Sequence, residues 1–356
     1  MLDLLIIVSV VLGIIALAQL IKVLELAGHA RGENSWDVTD KDNKTQARLM
    51  PVFLVVYFAS IIYQMVAWGK YLLPVSASAH GETIDNLMMT SWIVIFPVFI
   101  LTHILLFYFA WKYAYDKNRK AEFFPHSNKL ELLWTIVPTV VLSILILYGL
   151  NTWNNITTPV SQEEDPVLIE LYAYQFGWIA RYAGEDREFG SANVRNIEGV
   201  NALGMDSTDA KGWDDKIVRA EFHLPVNRPV QFIFRAQDVI HSAYMPHFRA
   251  QMNCVPGMTT RFGYTPTITT SEMKSITQNE DFNYILLCNK ICGAAHYNMQ
   301  MDIIVESAED FEAWLSEQKE FLPMDGTAKE ELEEEKPEEN KESTDDEAKN
   351  VTASIN

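Results

Sequence analysis

Three cysteines in 356 residues, Cys254, Cys288 and Cys292, are too few for a small secreted fold stapled by disulfides. Basic side chains are also scarce, with 28 Lys and Arg against 47 Asp and Glu. That deficit excludes a nucleic-acid binder, because contact with phosphates needs a basic surface. Charge of either sign is missing altogether from residues 4–21, 49–69, 86–111 and 132–155. Roughly 20 apolar residues cross a hydrocarbon core of about 30 Å as a helix, so each stretch is long enough to span a membrane. Only the first competes with a cleaved signal peptide. It carries Asp3 where a signal's basic start would lie, and Lys22 and Glu25 follow in place of a small-residue cleavage site. It reads as a retained anchor, the first of four helices that leave both termini on one side.

Lys and Arg are absent from residues 74–85, whereas 27–48 carry Arg31, Lys41, Lys44 and Arg48, and 112–130 carry Lys112, Lys117, Arg119, Lys120 and Lys129. Basic loops stay in the cytoplasm, so everything after residue 151 is expected outside, in a periplasm or its equivalent. The charge divides the same way. Residues 1–150 hold 11 acidic and 11 basic side chains, 151–324 hold 24 and 13, and 325–356 hold 12 and 4. The last segment, poor in apolar residues, is expected to be a disordered acidic tail. His103, deep in the third span, reads as a neutral imidazole satisfied by a neighbouring helix. Glu131, at the start of the fourth, reads on its own as a boundary carboxylate with access to water.

From Pro166 the pattern changes to short runs rich in β-branched and aromatic residues, at 167–172, 230–234 and 284–287, separated by Pro, Gly and Asn turns. These predict an antiparallel β-sandwich. The fold class is therefore α+β, a membrane protein of four helices followed by a sandwich. Its parts are a helix pair at 1–85, a helical hairpin at 86–155, an outer domain at 156–324 and the tail at 325–356. Residues 183–216, rich in Gly, Asp and Asn, predict a long solvated loop whose aspartates match no calcium-binding spacing. Ser307-Ala308-Glu309-Asp310 is placed to cap an amphipathic closing helix over 311–321.

The segment that carries chemistry is Cys288-Asn289-Lys290-Ile291-Cys292-Gly293-Ala294-Ala295-His296-Tyr297-Asn298-Met299, directly after a predicted strand. Soft sulfur with imidazole favours copper over hard cations. Zinc also takes Cys and His, but Met is a poor partner for it. A Cys288–Cys292 disulfide is the other rival, and it leaves the neighbouring His and Met unexplained. A mononuclear copper site uses one Cys, so a second Cys four residues on allows both sulfurs to bridge two coppers. Each metal then needs an imidazole. His241, just beyond the predicted strand at 230–234, supplies the second.

Asp238-Val239-Ile240-His241-Ser242, Pro256-Gly257 and the 288–299 segment closely resemble subunit II of the haem–copper cytochrome c oxidases, over about residues 86–321. The resemblance implies a two-helix hairpin followed by a cupredoxin domain that holds a dinuclear copper A centre. Cys288 and Cys292 would bridge the metals, His241 and Met299 would complete one copper, and His296 and the backbone carbonyl of Lys290 the other. Glu131, ahead of Trp134-Thr135-Ile136-Val137-Pro138, matches the family's carboxylate at the mouth of a proton path into subunit I. The implied activity is that of an oxidase subunit in an inner (plasma) membrane, surrounded by lipid. It takes electrons from a c-type cytochrome, free or within a partner complex. It passes them to the haem of subunit I, where oxygen is reduced and protons are pumped. The haems and the second copper site belong to partner subunits. The acidic outer surface suits a basic donor, steered by charge and sensitive to salt.

Three departures stand out. Lys290 occupies a position where the family usually has Glu, which leaves open the magnesium site shared with subunit I. Asn253 replaces an Asp. Phe176, in Tyr174-Gln175-Phe176-Gly177-Trp178, replaces a Trp linked to electron uptake, making Phe176 and Trp178 the candidates for that role. The first two spans are extra to the common two-helix form. A quinol-oxidising relative would lack the copper ligands, and a nitrous-oxide reductase domain is normally soluble. The copper A subunit of a nitric-oxide reductase and a membrane-anchored copper carrier or assembly protein remain as alternatives.

Overall fold

A computed structural model describes residues 2–30, 39–161 and 165–321 of the chain; the segment at 325–356 lies outside them. Among the described residues two compact units are formed, one within 1–73 and 88–145 and the other within 74–87 and 146–321.

Four helices, α1 (Leu2–Ala30), α2 (Asp40–Trp68), α3 (Gly81–Lys112) and α4 (Asn128–Thr157), are each long and apolar enough to cross a membrane. Helices satisfy every backbone N–H and C=O internally, which is what a hydrocarbon solvent demands. At the head of α2 the Thr39 hydroxyl accepts the Asp42 N–H at 3.2 Å, while the Asp42 carboxylate accepts the Thr39 N–H at 3.0 Å. These reciprocal bonds satisfy two donors that have no partner within the helix. α2 meets α3 through rings, with Phe53 against Phe107 at 5.4 Å and Tyr57 stacked on His103 at 5.6 Å. His103 finds its partner on its own helix rather than on a neighbour. Its Nδ1 donates to the Phe99 carbonyl one turn back, at 2.8 Å.

The second unit is a sandwich of two five-stranded sheets. One is ordered β3 (Lys216–Val218), β2 (Gly177–Tyr182), β1 (Val167–Tyr174), β5 (Val230–Ala236) and β8 (Thr260–Tyr264). The other is ordered β4 (Glu221–Pro225), β10 (Gln300–Glu306), β9 (Tyr284–Cys288), β6 (His241–Met245) and β7 (Ala250–Cys254). Pairing is antiparallel except for β1 with β5 and β10 with β4, which run parallel because the chain changes sheets between them. Alternation fills the core: Met301, Ile303 and Val305 of β10 point inward, as do Phe232 and Phe234 of β5. The closing helix α5 (Ala308–Ser316) begins where expected, with the Ser307 hydroxyl accepting the Asp310 N–H at 3.1 Å. It stops at Ser316, and Glu320 then bridges to Lys216 beside β3.

The stretch 183–216 is the long, largely exposed loop predicted, but it is not wholly solvated. It folds back over the outer face of the first sheet and buries Leu203 and Met205 against Tyr172 and Ile179. Each such apolar side chain is worth about 2–3 kcal/mol when withdrawn from water. A buried ion cluster holds the excursion as well. Arg181 reaches Glu170 at 3.0 Å, Asp215 at 2.7 Å and the Gly190 carbonyl at 2.5 Å. Asp209 ties the excursion across 18 residues by accepting from the Ser191 N–H and hydroxyl, while Asp206 serves a local turn by accepting from Thr208.

Residues 74–87, the end of the link from α2 and the first two turns of α3, pack with the sandwich. Ala77 donates to the His247 carbonyl at 2.8 Å and accepts from Thr267 at 2.9 Å. The Arg249 guanidinium grips Asp85 at 2.8 and 2.9 Å and caps the Pro246 and Pro74 carbonyls.

Candidate metal centre

Strand pairing assembles the site. β6 runs antiparallel to β9, with Ala243 opposite Cys288, so the first residue of β6 and the last of β9 emerge at the same end of the sandwich. His241 is fully buried there, and its Nδ1 lies 3.8 Å from Cys288 Sγ. The loop after β9 returns Cys292, His296 and Met299 to that end. Cys292 Sγ is 3.9 Å from Cys288 Sγ, 3.7 Å from His296 Nδ1 and 3.8 Å from Met299 Sδ. The Lys290 carbonyl sits 3.2 Å from Cys288 Sγ.

All three cysteines are free. A 3.9 Å gap between sulfurs is one that a metal with bonds of about 2.3 Å to each can bridge. Each sulfur has two further donors beside it: His241 Nδ1 and the Lys290 carbonyl at Cys288, and His296 Nδ1 and Met299 Sδ at Cys292. The donor set therefore fits a soft two-metal centre. His241, Cys288 and Cys292 are the group of His, Cys and carboxylate residues among the described residues whose ligand atoms converge, within 4.8 Å of one another.

Electrostatics prepare these ligands. Asp238 Oδ1 accepts the His241 Nε2–H at 2.8 Å, which leaves Nδ1 as the bare nitrogen facing the sulfurs. Burial raises the Asp238 carboxyl, but hydrogen bonds from His241 and from the Gln175 and Val239 N–H groups outweigh it and hold the carboxyl below its ordinary value. Burial, with Cys288 alongside, pushes the Cys292 thiol up to about 11. A metal must therefore displace its proton. Cys254, opposite His241 in the β6–β7 pair, is pushed up to about 12 mainly by burial and remains an inert core thiol.

Profiles of two domains match the chain: cytochrome C oxidase subunit II, transmembrane domain, over residues 65–152, and cytochrome C oxidase subunit II, periplasmic domain, over residues 214–308. The alternative cytochrome c oxidase subunit 2 of Bradyrhizobium diazoefficiens is 31% identical over 280 residues, covering 77% of this chain and 93% of that protein. The chain belongs to the cytochrome c oxidase subunit II family. Another member, the cytochrome c oxidase subunit 2 of Synechocystis sp., is 26% identical over 69% of this chain and 75% of its own length. The solved periplasmic domain of subunit II of the Bradyrhizobium japonicum cytochrome oxidase aligns with 42% of this chain and 91% of its own, at 20% identity and a TM-score of 0.28. Subunit II is a component of an oxidoreductase complex, and here it is a multi-pass membrane chain with a periplasmic domain.

Of the remaining residues singled out from sequence, Phe176 lies in the two-residue turn between β1 and β2, 38% exposed, with its ring against Gly293 of the ligand loop. Trp178, expected as a surface alternative for electron uptake, is corrected by its burial at 2%. It points into the sandwich and meets the His241 ring edge-on at 6.3 Å. Glu131 stands exposed in the first turn of α4. Asp238 and Gln175 stand in the sequence motifs without a role of their own. A carboxylate three residues before a ligand histidine was the available signal for Asp238; for Gln175 there was none.

Proposed function

We propose that this subunit II carries a dinuclear copper A centre on Cys288, Cys292, His241, His296, Met299 and the Lys290 carbonyl. Through it the chain takes electrons from a c-type cytochrome and passes them to the haem of subunit I for oxygen reduction coupled to proton pumping. The observation that carries the reading is the pair of free sulfurs 3.9 Å apart, each with an imidazole nitrogen 3.7–3.8 Å away. When bound, copper A supplies a one-electron couple shared between two metals.

The chain's own residues do the rest. The β6–β9 pairing holds His241 and Cys288 on rigid backbone, so the ligands shift little as charge changes. Asp238 fixes the His241 tautomer. The thiols give up their protons on loading. Phe176 offers an exposed ring over the ligand loop as the contact for a donor, whose approach the acidic domain steers. Glu131 would take up protons at the membrane face, and a plasma (inner) membrane is the location.

The test is a metal count and an EPR spectrum of the full chain loaded with copper. Two coppers per chain and a mixed-valence seven-line pattern support the reading. Zinc, a single copper or a Cys288–Cys292 disulfide in native material overturns it.

A further inference from the structure

Cys292 is the hub of the donor cluster. Its sulfur is the one that touches Cys288, His296 and Met299 together, at 3.7–3.9 Å. Yet its backbone belongs to no strand. Cys288 and Asn289 are tied down by backbone bonds to Met299 and Ser242, and from Gly293 onward the loop bonds within itself. Between them, apart from contacts of the Cys288 sulfur and among the described residues, one hydrogen bond reaches Lys290–Gly293 from outside the loop: the Gln175 side-chain amide donates to the Cys292 carbonyl at 2.5 Å.

Gln175 is itself held. It sits in the turn between β1 and β2, and its backbone N–H donates at 2.7 Å to Asp238 Oδ2, whose other oxygen accepts the His241 Nε2–H. One turn residue thus bonds the carboxylate that orients a histidine ligand and the peptide that carries a cysteine ligand. Space is tight at that junction. A Cβ on Gly293 would lie 2.9 Å from Gln175 Nε2 and 2.7 Å from the Phe176 ring, and Gly293 itself has φ +148°, which favours glycine.

We infer that Gln175 is the positioning residue of the copper site, setting the place of the Cys292 sulfur by holding its carbonyl. The inference rests on the copper A reading above. It requires a donor at the end of the residue-175 side chain, because the acceptor is a carbonyl oxygen. Gln175→Glu keeps the shape and replaces the amide donor by an acceptor that repels the carbonyl. Gln175→Lys restores a donor. In both variants the backbone N–H still reaches Asp238, so the turn keeps its anchor.

The experiment uses the full-length chain in detergent, loaded with copper and free of donor and partner subunits. EPR hyperfine splitting, reduction potential and the rate of copper loss to a chelator are recorded for wild type, Gln175→Glu and Gln175→Lys. The expected result is altered hyperfine splitting, a shifted potential and copper loss about tenfold faster in Gln175→Glu, with Gln175→Lys returning toward wild type. Should Gln175→Glu not fold, Gln175→Ala gives the same readouts. Wild-type spectra, potential and copper loss within twofold in the variant lacking a donor overturn the inference. A wild-type chain without two coppers instead overturns the copper A reading, so the two failures are distinct.

Discussion

His241 hands its Nε2–H to Asp238 across 2.8 Å, and this bond aims the imidazole's other nitrogen at the cysteine sulfurs. A carboxylate behind a ligand imidazole fixes the tautomer and raises the basicity of the ligating nitrogen. Asp238→Ala is expected to speed copper loss about tenfold or more, and Asp238→Asn, which keeps an acceptor without the charge, by less. Chelator competition on the loaded chain measures both. Equal retention in all three proteins would show that the bond is idle.

Ligand substitutions should rank by bond strength. Cys288→Ser and Cys292→Ser are each expected to abolish the two-copper EPR signature, because a hydroxyl cannot bridge as a thiolate does. Met299→Leu removes a weak thioether and should change potential and transfer rate more than copper content. Copper loss in Met299→Leu as complete as in Cys288→Ser would overturn this order.

Copper uptake should depend on pH with a definite sign. The Cys292 thiol, pushed up to about 11 by burial and by Cys288, is protonated at neutral pH. Each thiol proton displaced makes apparent affinity rise about tenfold per pH unit. Competition titrations at pH 6, 7 and 8 test this. An affinity that does not change with pH would exclude thiolate ligation.

Stability should fall in mild acid through His247. Burial first, and then the positive Arg249, push its imidazole down to about 4, and it lies edge-on to Phe282 and Tyr284. The fold keeps the ring neutral, whereas the unfolded chain takes a proton at the ordinary value of 6.5. The contribution is therefore complete above pH 6.5 and is lost as pH drops toward about 4. Since the ring is only partly buried, a loss on the order of 1 kcal/mol is expected after solvent screening. Denaturant unfolding at pH 7.5 and 5 should show a smaller difference in His247→Gln than in wild type.

Glu131→Gln keeps the shape of the first turn of α4 and removes the carboxyl group. In the assembled oxidase, proton uptake is expected to slow by about tenfold or more with the copper signal unchanged. Normal turnover would return Glu131 to the role of a boundary carboxylate.

The proposed copper ligands stand out in the sequence because most sit close together in the chain. Five of the six donors fall within residues 288–299, and their residue types alone narrow the chemistry. The four spans were legible for a related reason, since hydrocarbon imposes length and apolarity that nothing else in the sequence imitates. The fate of 183–216 was not. Its Gly, Asp and Asn belong to turns, and the apolar pair Leu203 and Met205 is too sparse to set a period, so its docking on Tyr172 and Ile179 had no local signature. Trp178 misled in the same way. An aromatic beside a turn reads as exposed until the strand's facing is known, and here that facing carries it inward against His241.

Composition and spacing by themselves determined that this is a membrane-anchored chain with an outer β domain and a soft-metal ligand set, because those properties depend on which side chains are near one another in sequence. Tertiary structure decided how close residue 241 comes to residues 288 and 292, that Asp238 turns its carboxylate to His241, that Gln175 stands behind the ligands, and that residues 74–87 fold with the sandwich. Apart from Asp238, three residues before His241, those contacts join residues 47 to 190 apart, and such pairings follow from strand register and packing rather than from any local pattern.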